Sequence, residues 1–127
     1  MPVKFKAVQR RNPSKPTEPN KWYPQAIANG ETKLKDLADY ASETSTVSKA
    51  DILAVLETVL TKVSKDLSDG KIVRVGEYFT LQVSVSGEAS DKEEEVNSAK
   101  IKSGKILFRP GKMLSDMLKL LSYSKGG

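Results

Sequence analysis

The chain opens on an alternation of apolar and polar positions. Val3, Phe5 and Ala7 are separated by Lys4 and Lys6, the period of a strand with one face packed and the other in water. This predicts a basic-faced strand over residues 3–11. Pro13, Pro16 and Pro19, with Asn12 and Asn20, then force a loop, because proline removes a ladder donor and Asn-Pro starts turns. Residues 21–28, with Trp22, Tyr23 and Ile27, supply a return strand, so residues 1–29 are expected to form a β-hairpin. From Glu31 the period lengthens to that of a helix, with Leu34, Leu37, Ala38 and Ala41 at i, i+3, i+4 and i+7. After a Ser/Thr cluster at 42–48, Ser48 is a good N-cap with Asp51 three positions on. Ile52, Val55, Leu56, Val59, Leu60, Val63 and Leu67 follow as a wide apolar stripe, and Gly70 supplies a left-handed C-cap.

Odd positions are apolar again over residues 72–86: Val73, Val75, Phe79, Leu81, Val83 and Val85 alternate with Arg74, Thr80, Gln82, Ser84 and Ser86. One long strand with a packed and a wet face is expected. Residues 87–98 carry Glu88, Asp91, Glu93, Glu94 and Glu95 and are expected to be an exposed, mobile loop. A second strand over 99–109 places Lys100 and Lys102 around Ile101, then Ile106 and Phe108 opposite Lys105 and Arg109, with Ser103-Gly104 as a bulge that resets the register. Pro110-Gly111-Lys112 leads into a short amphipathic helix whose Leu114, Met117, Leu118 and Leu121 share a face. Residues 122–127 are expected to fray. The class is α+β.

Composition narrows the chemistry. The 127 residues include no cysteine and no histidine, so disulfides, thiolate nucleophiles, histidine bases and the usual zinc ligand sets are excluded. The carboxylates at 88–95 lack the spaced oxygen ligands and turn glycine of a calcium loop. No catalytic residue, cofactor or metal site is expected, and the chain is not expected to be an enzyme. No stretch is long and apolar enough for a membrane span and no secretory leader is visible, so an intracellular protein with no membrane partner is expected. The length is that of one domain with a core. Charge is unevenly placed: residues 1–25 hold six basic and one acidic side chain, residues 26–97 eight and fourteen, residues 98–127 seven and one. Basic segments flank an acidic middle, a distribution that suits a polyanion partner as well as mere solubility. The two helices are acidic (Asp36, Asp39, Glu43, Asp51, Glu57, Asp66, Asp69). Phosphate would repel them, which makes them a platform rather than a groove-reading pair.

The order helix, helix, long strand, exposed connection, strand, Arg-Pro-Gly-Lys, helix resembles the HU/integration-host-factor family of bacterial histone-like proteins over residues 30–121. Phe108-Arg109-Pro110-Gly111-Lys112 followed by Leu114 looks like the Phe-Lys-Pro-Gly-Lys-x-Leu signature that closes the family's fold. The run from Leu67 through Gly70 to Gly76 is similar to the family's helix end, glycine turn and first strand, and Leu34, Leu37 and Ala38 with Ser48-Lys49-Ala50-Asp51 are similar to its helix starts. The N-terminal segment through Trp22-Tyr23 is foreign to the standard family but similar to a divergent HU-related group of Bacteroides-type bacteria whose members often begin with such an extension. Two departures stand out. The family's Gly-Phe-Gly-x-Phe corner is here Gly76-Glu77-Tyr78-Phe79, which keeps an aromatic and loses a glycine. The family's arm carries a proline that wedges between base steps, whereas the tip here is Gly87-Glu88-Ala89-Ser90-Asp91-Lys92 followed by three glutamates. A minor groove repels such a tip, and it has no proline to insert. Arg11-Asn12-Pro13 elsewhere in the chain is better read as a turn start.

The resemblance implies an α+β fold of HU/IHF type: two N-terminal helices, an antiparallel sheet with an extended arm, a C-terminal helix, and here an added N-terminal β-hairpin. Residues 1–29 would be the extension and 30–127 the DNA-binding domain, in a single compact unit. It implies a homodimer, an architectural and largely sequence-nonspecific double-stranded DNA-binding role in the bacterial nucleoid, and no small-molecule substrate. Phosphate contacts would come from the wet strand faces, namely Arg74, Lys100, Lys102, Lys105 and Arg109, together with Lys112 at the start of the last helix, where free backbone N–H groups favour an anion. The competing class is an HU-fold interaction or assembly module with weak or no DNA binding, motivated by the acidic arm and by Trp22 and Tyr23.

Overall fold

Ser48 caps its helix as its position predicts. In the computed structural model, which describes residues 2–11 and 13–126, its backbone is extended and its Oγ accepts the Asp51 N–H at 3.2 Å. Helix α1 spans Leu34–Glu43 and α2 spans Lys49–Ser68. At the far end of α2, Gly70 takes φ +82. Its N–H bonds the Leu67 carbonyl at 3.0 Å and the Lys71 N–H bonds the Asp66 carbonyl at 3.0 Å. These two bonds form the Schellman pattern that satisfies orphan carbonyls, and a left-handed φ there favours glycine. Lys62 donates to Asp66 Oδ1 at 3.0 Å and, chiefly through that bond, holds the Asp66 carboxyl below its ordinary value.

The chain divides into two compact units, Met1–Lys33 with Leu118–Gly127, and Leu34–Met117. In the larger unit, α1 packs on α2, and α2 touches strands β3 (Val73–Val75) and β4 (Phe79–Gly87). These strands and β5 (Ile101–Pro110) form an antiparallel sheet in the order β3-β4-β5. The expected single strand over 72–86 is therefore two strands. The chain reverses at Gly76–Tyr78, where the Tyr78 N–H bonds the Val75 carbonyl at 2.9 Å and Val75 comes opposite Phe79. The bulge also differs from expectation. Ser103 and Gly104 stay in register opposite Ser86 and Val85, and the irregularity lies between Ser86 and Gly87, where Gly87 pairs with Ile101 and Lys102 has no opposite number. The acidic connection contains two short 3₁₀ turns, Glu93–Glu95 and Ser98–Lys100, and the Glu88 N–H bonds the Lys100 carbonyl at 3.0 Å to close its base.

In the smaller unit, β1 (Val3–Arg10) pairs antiparallel with β2 (Lys21–Ala26), as the alternation predicts. The tail is not frayed over its described residues. β6 (Tyr123–Lys125) runs parallel to β1, anchored by Val3 N–H to the Ser122 carbonyl at 2.8 Å and Gly126 N–H to the Phe5 carbonyl at 2.9 Å. The free edge of β1 supplies the partners that the tail lacks by itself. Asn12, and with it the Arg11-Asn12-Pro13 reading, lies outside the described residues, as do Met1 and Gly127.

Arg109-Pro110-Gly111-Lys112 owes its glycine to a close approach. The Gly111 N–H bonds the Tyr78 carbonyl at 2.6 Å, and a Cβ at this position would run into the Glu77 carbonyl oxygen, with the Tyr78 carbonyl carbon 2.7 Å away. The contact pins the β3–β4 turn to the end of β5, directly before helix α3 (Lys112–Lys119). Gly111→Ala should therefore cost about 2 kcal/mol or more, within the range of overpacking against fixed backbone. Urea unfolding checks this, and a midpoint equal to the parent's would mean that the turn yields freely.

Candidate functional site

The register of the β3-β4-β5 sheet sorts its side chains onto two faces, because residues directly opposite one another across antiparallel strands point the same way. Val73 opposes Leu81, Val75 opposes Phe79, Leu81 opposes Phe108 and Val83 opposes Ile106, so these form the apolar face. The Phe79 and Phe108 rings meet on it with centroids 5.5 Å apart. The other face is polar. Arg74 opposes Thr80, which opposes Arg109, so the three stand in one row across three strands. Further out, Gln82 opposes Leu107, Ser84 opposes Lys105 and Ser86 opposes Ser103, and the two serine hydroxyls share a hydrogen bond at 3.1 Å.

The structure brings together three of the six residues singled out from sequence. Arg74, Lys105 and Arg109 lie exposed on the polar face, the arginines about 10 Å apart at two strand spacings and Lys105 about 13 Å along β5 from Arg109. No strand residue of that face is a carboxylate. Lys102 falls on the other parity of β5, at the irregular position. Lys100 is half-buried and ends the second 3₁₀ turn rather than entering the strand. Lys112 is the first residue of α3, exposed, with the Ser115 N–H bonded to the Gly111 carbonyl behind it at 2.9 Å.

The surroundings are acidic in two places. The arm tip keeps Glu88, Asp91, Glu93, Glu94 and Glu95 exposed. On the helices Asp39 pairs with Lys49 at 2.7 Å and Asp66 with Lys62. Sequence reasoning did not bring the two ends of the chain together as one cationic unit. Folding β6 onto β1 gathers nine Lys/Arg and two Asp/Glu into the smaller unit, a net +7, and leaves twelve against fourteen, a net −2, in the larger one. The segment charges hinted at this, but only the pairing of β6 with β1 joins them. Among the described residues no group of His, Cys, Asp or Glu could hold a metal ion, and no helix is long and apolar enough to cross a membrane.

A family model described as an HU domain fused to wHTH, Ig, or glycine-rich motif matches residues 1–125. The chain belongs to the HU-HIG family. The match extends the resemblance read over residues 30–121 to both ends, so the β1–β2 hairpin and β6 lie inside the HU-HIG pattern. A solved structure of a candidate bacterial DNA binding protein from Bacteroides vulgatus is similar to this HU-HIG chain with a TM-score of 0.65 and 16% identity, over 97% of this chain and 48% of that one. At that identity the likeness concerns the fold: mixed α and β, three helices and two small sheets. This chain spans about half the length of that structure. No curated protein matches it.

Proposed function

We propose that this chain is an architectural, largely sequence-nonspecific double-stranded DNA-binding protein, acting as a homodimer in the bacterial nucleoid and holding the phosphate backbone on the polar face of the β3-β4-β5 sheet. The observation that carries this reading is the row Arg74, Thr80, Arg109 with Lys105 beyond it on a face whose strands bear no carboxylate. Membership of an HU family and the description of the Bacteroides vulgatus structure support the same partner. Threonine and serine hydroxyls between the cations add hydrogen bonds to phosphate oxygens, and a flat cationic face of this kind recognises chiefly backbone and shape. Lys112 adds a cation at the helix start. Lys100 and Lys102 belong to the arm and contribute less. The acidic tip is repelled by phosphate, so duplex contact is confined to the base of the arm and no side chain wedges the bases apart.

The apolar surface of the single chain supports the dimer. Val55, Val59 and Leu60 on α2 are 60%, 51% and 53% exposed, and Ile106 and Phe108 on β5 are 63% and 55% exposed. A second copy covers such a stripe without exposing any new type of surface, as an isologous interface does. Sedimentation equilibrium should return twice the chain mass, and Val59→Glu should shift it towards one. A parent that sediments as a single chain at micromolar concentration would remove the dimer.

Six phosphate contacts per dimer from this face contribute about −5 to the slope of log Kobs against log salt, which by itself weakens binding roughly 10³-fold between 50 and 200 mM salt. The same slope is expected on duplexes of unrelated sequence. The triple variant Arg74→Glu, Lys105→Glu, Arg109→Glu should weaken binding by at least about 10²-fold and remove this face's share of the slope, while Lys100→Glu with Lys102→Glu should change it only severalfold. A slope near zero for the parent would instead favour an assembly module that keeps the fold without the DNA grip.

A further inference from the structure

The smaller unit carries a second cationic face, distinct in residues from the one above. In the β2-β1-β6 sheet Phe5 opposes Ala26, Ala7 opposes Pro24, and Val3 stands beside Tyr123. These residues make one apolar face, four of them with Tyr123 lining a shallow hollow of about 390 Å³. The opposite face therefore presents Lys4, Lys6, Val8 and Arg10 from β1, Lys21, Tyr23 and Gln25 from β2, and Ser124 from β6. Four cations share it, all exposed. None of the three strands contains an acidic residue, and the Lys15–Glu18 ion pair at 3.6 Å lies in the loop between β1 and β2.

Arg10 stands directly opposite Lys21. Like charges at directly opposed positions destabilise a sheet, and here no carboxylate on either strand relieves them. Lys4 and Lys6 are about 7 Å apart along β1, and Arg10 about 13 Å beyond Lys6. At 0.1 M salt the repulsion is therefore concentrated in the pairs Arg10 with Lys21 and Lys4 with Lys6, the step of about 13 Å between the pairs being largely screened. An arrangement that concentrates repulsion on one flat face is relieved by a ligand that is itself a line of closely spaced negative charges. A duplex backbone is such a line, with one charge per about 1.7 Å of axis. Tyr23, 41% exposed between Lys21 and Gln25, adds a hydroxyl donor for a phosphate oxygen. It is the face's single aromatic, too few for the stacking platform that single strands use.

We propose that the face bearing Lys4, Lys6, Arg10 and Lys21 is a second DNA-backbone contact surface, carried by the β1–β2 hairpin and distinct in residues from the β3-β4-β5 face. The choice of DNA as the polyanion rests on the function proposed above, whereas the location of the surface does not.

The test uses the full chain and mixed-sequence duplex DNA across a salt titration. With Lys4, Lys6, Arg10 and Lys21 all replaced by Gln, the slope of log Kobs against log salt should become shallower by about 3.6 for each chain engaged, at about 0.9 per lost contact. A slope unchanged within error overturns the proposal. Lys4 packs its stem over Gly126, where a built Cβ would lie 3.3 Å from Lys4 Cδ, so the fourfold variant risks losing β6. Lys6→Gln and Lys21→Gln taken singly avoid that contact, and each should lower the slope by about 1. A parent that binds no duplex at 50 mM salt sinks this proposal and the proposed function together. Loss of slope in the β1/β2 variants with none in the Arg74, Lys105, Arg109 variant supports this surface and sinks the other alone. Phosphatidylserine vesicles are the competing polyanion: co-sedimentation abolished by the Gln variants, with the DNA slope untouched, would reassign the face to a membrane and overturn the proposal.

Discussion

The constraint on which this structure depends is a shortage of enclosed apolar volume within one chain. Among the described residues only Ala38 and Leu67 are buried hydrophobics, fully and at 8% exposure respectively. Two separate globules of the two units' sizes would together expose about 8,000 Å², against the 10745 Å² exposed here. Apolar side chains contribute to the excess: on α2 Val55, Val59 and Leu60 stay exposed beside α1, and on the β4–β5 arm Val85, Ile106 and Phe108 do. At about 25 cal/mol per Å², apolar surface left in water on that scale removes a large share of what stabilises a domain of this length. The single chain leaves that surface uncovered, so caps such as Ser48 and the Gly70 turn act locally on elements whose packing within the chain is incomplete.

The same apolar arm face fixes where charge can go. Once Val75, Phe79, Leu81 and Phe108 are committed to one side of the sheet, strand alternation sends Arg74, Thr80 and Arg109 to the other. The Glu77–Tyr78 backbone, held against Gly111, keeps the three strands in that register. A slip of one residue on β5 would exchange Arg109 for Phe108 on the polar face, so the cationic row and the apolar face stand or fall together. Thr80 between the arginines holds them near one Debye length apart at 0.1 M salt. Their mutual repulsion is thus modest until a phosphate draws both in.

Most of this was legible in the residues. The helices, the caps at Ser48 and Gly70, the β1–β2 hairpin and the start of α3 follow from period and cap chemistry, because they depend on neighbours a few positions away. Three features were hidden for identifiable reasons. The reversal at Gly76–Tyr78 escapes a parity argument because a three-residue loop sets position i opposite i+4, so apolar residues stay on odd numbers through the turn and two strands read as one. The displaced irregularity follows from this sheet's closure at Gly87 and Lys100, a pairing across the whole acidic tip that Ser103-Gly104 does not announce. The β6 pairing joins residues more than a hundred positions apart through backbone hydrogen bonds. Three residues, Tyr123 to Lys125, carry too little alternation to reveal it. The candidate site was accordingly half legible: Arg74, Lys105 and Arg109 follow from parity alone, while the positions of Lys100 and Lys102 depend on the closure of the arm.

The acidic arm tip bears on how a duplex could be held. Glu88, Asp91 and the three glutamates at 93–95 outnumber Lys92 and Lys100 within the tip, so a phosphate backbone approaching the sheet gains free energy at the Arg74–Arg109 row and loses it as it nears the tip. The gradient along the arm is therefore steep and of fixed direction, falling off within about 10 Å at 0.1 M salt. A tip that enters a groove must overcome that gradient with apolar insertion or dense cationic contact, and this tip has neither a proline nor a surplus of cations. Contact at the arm's base leaves the tip pointing away from the duplex with its charges solvated. On the proposed function, binding energy would then come from counterion release over a flat patch rather than from deformation of the helix, and the duplex would be held without a kink.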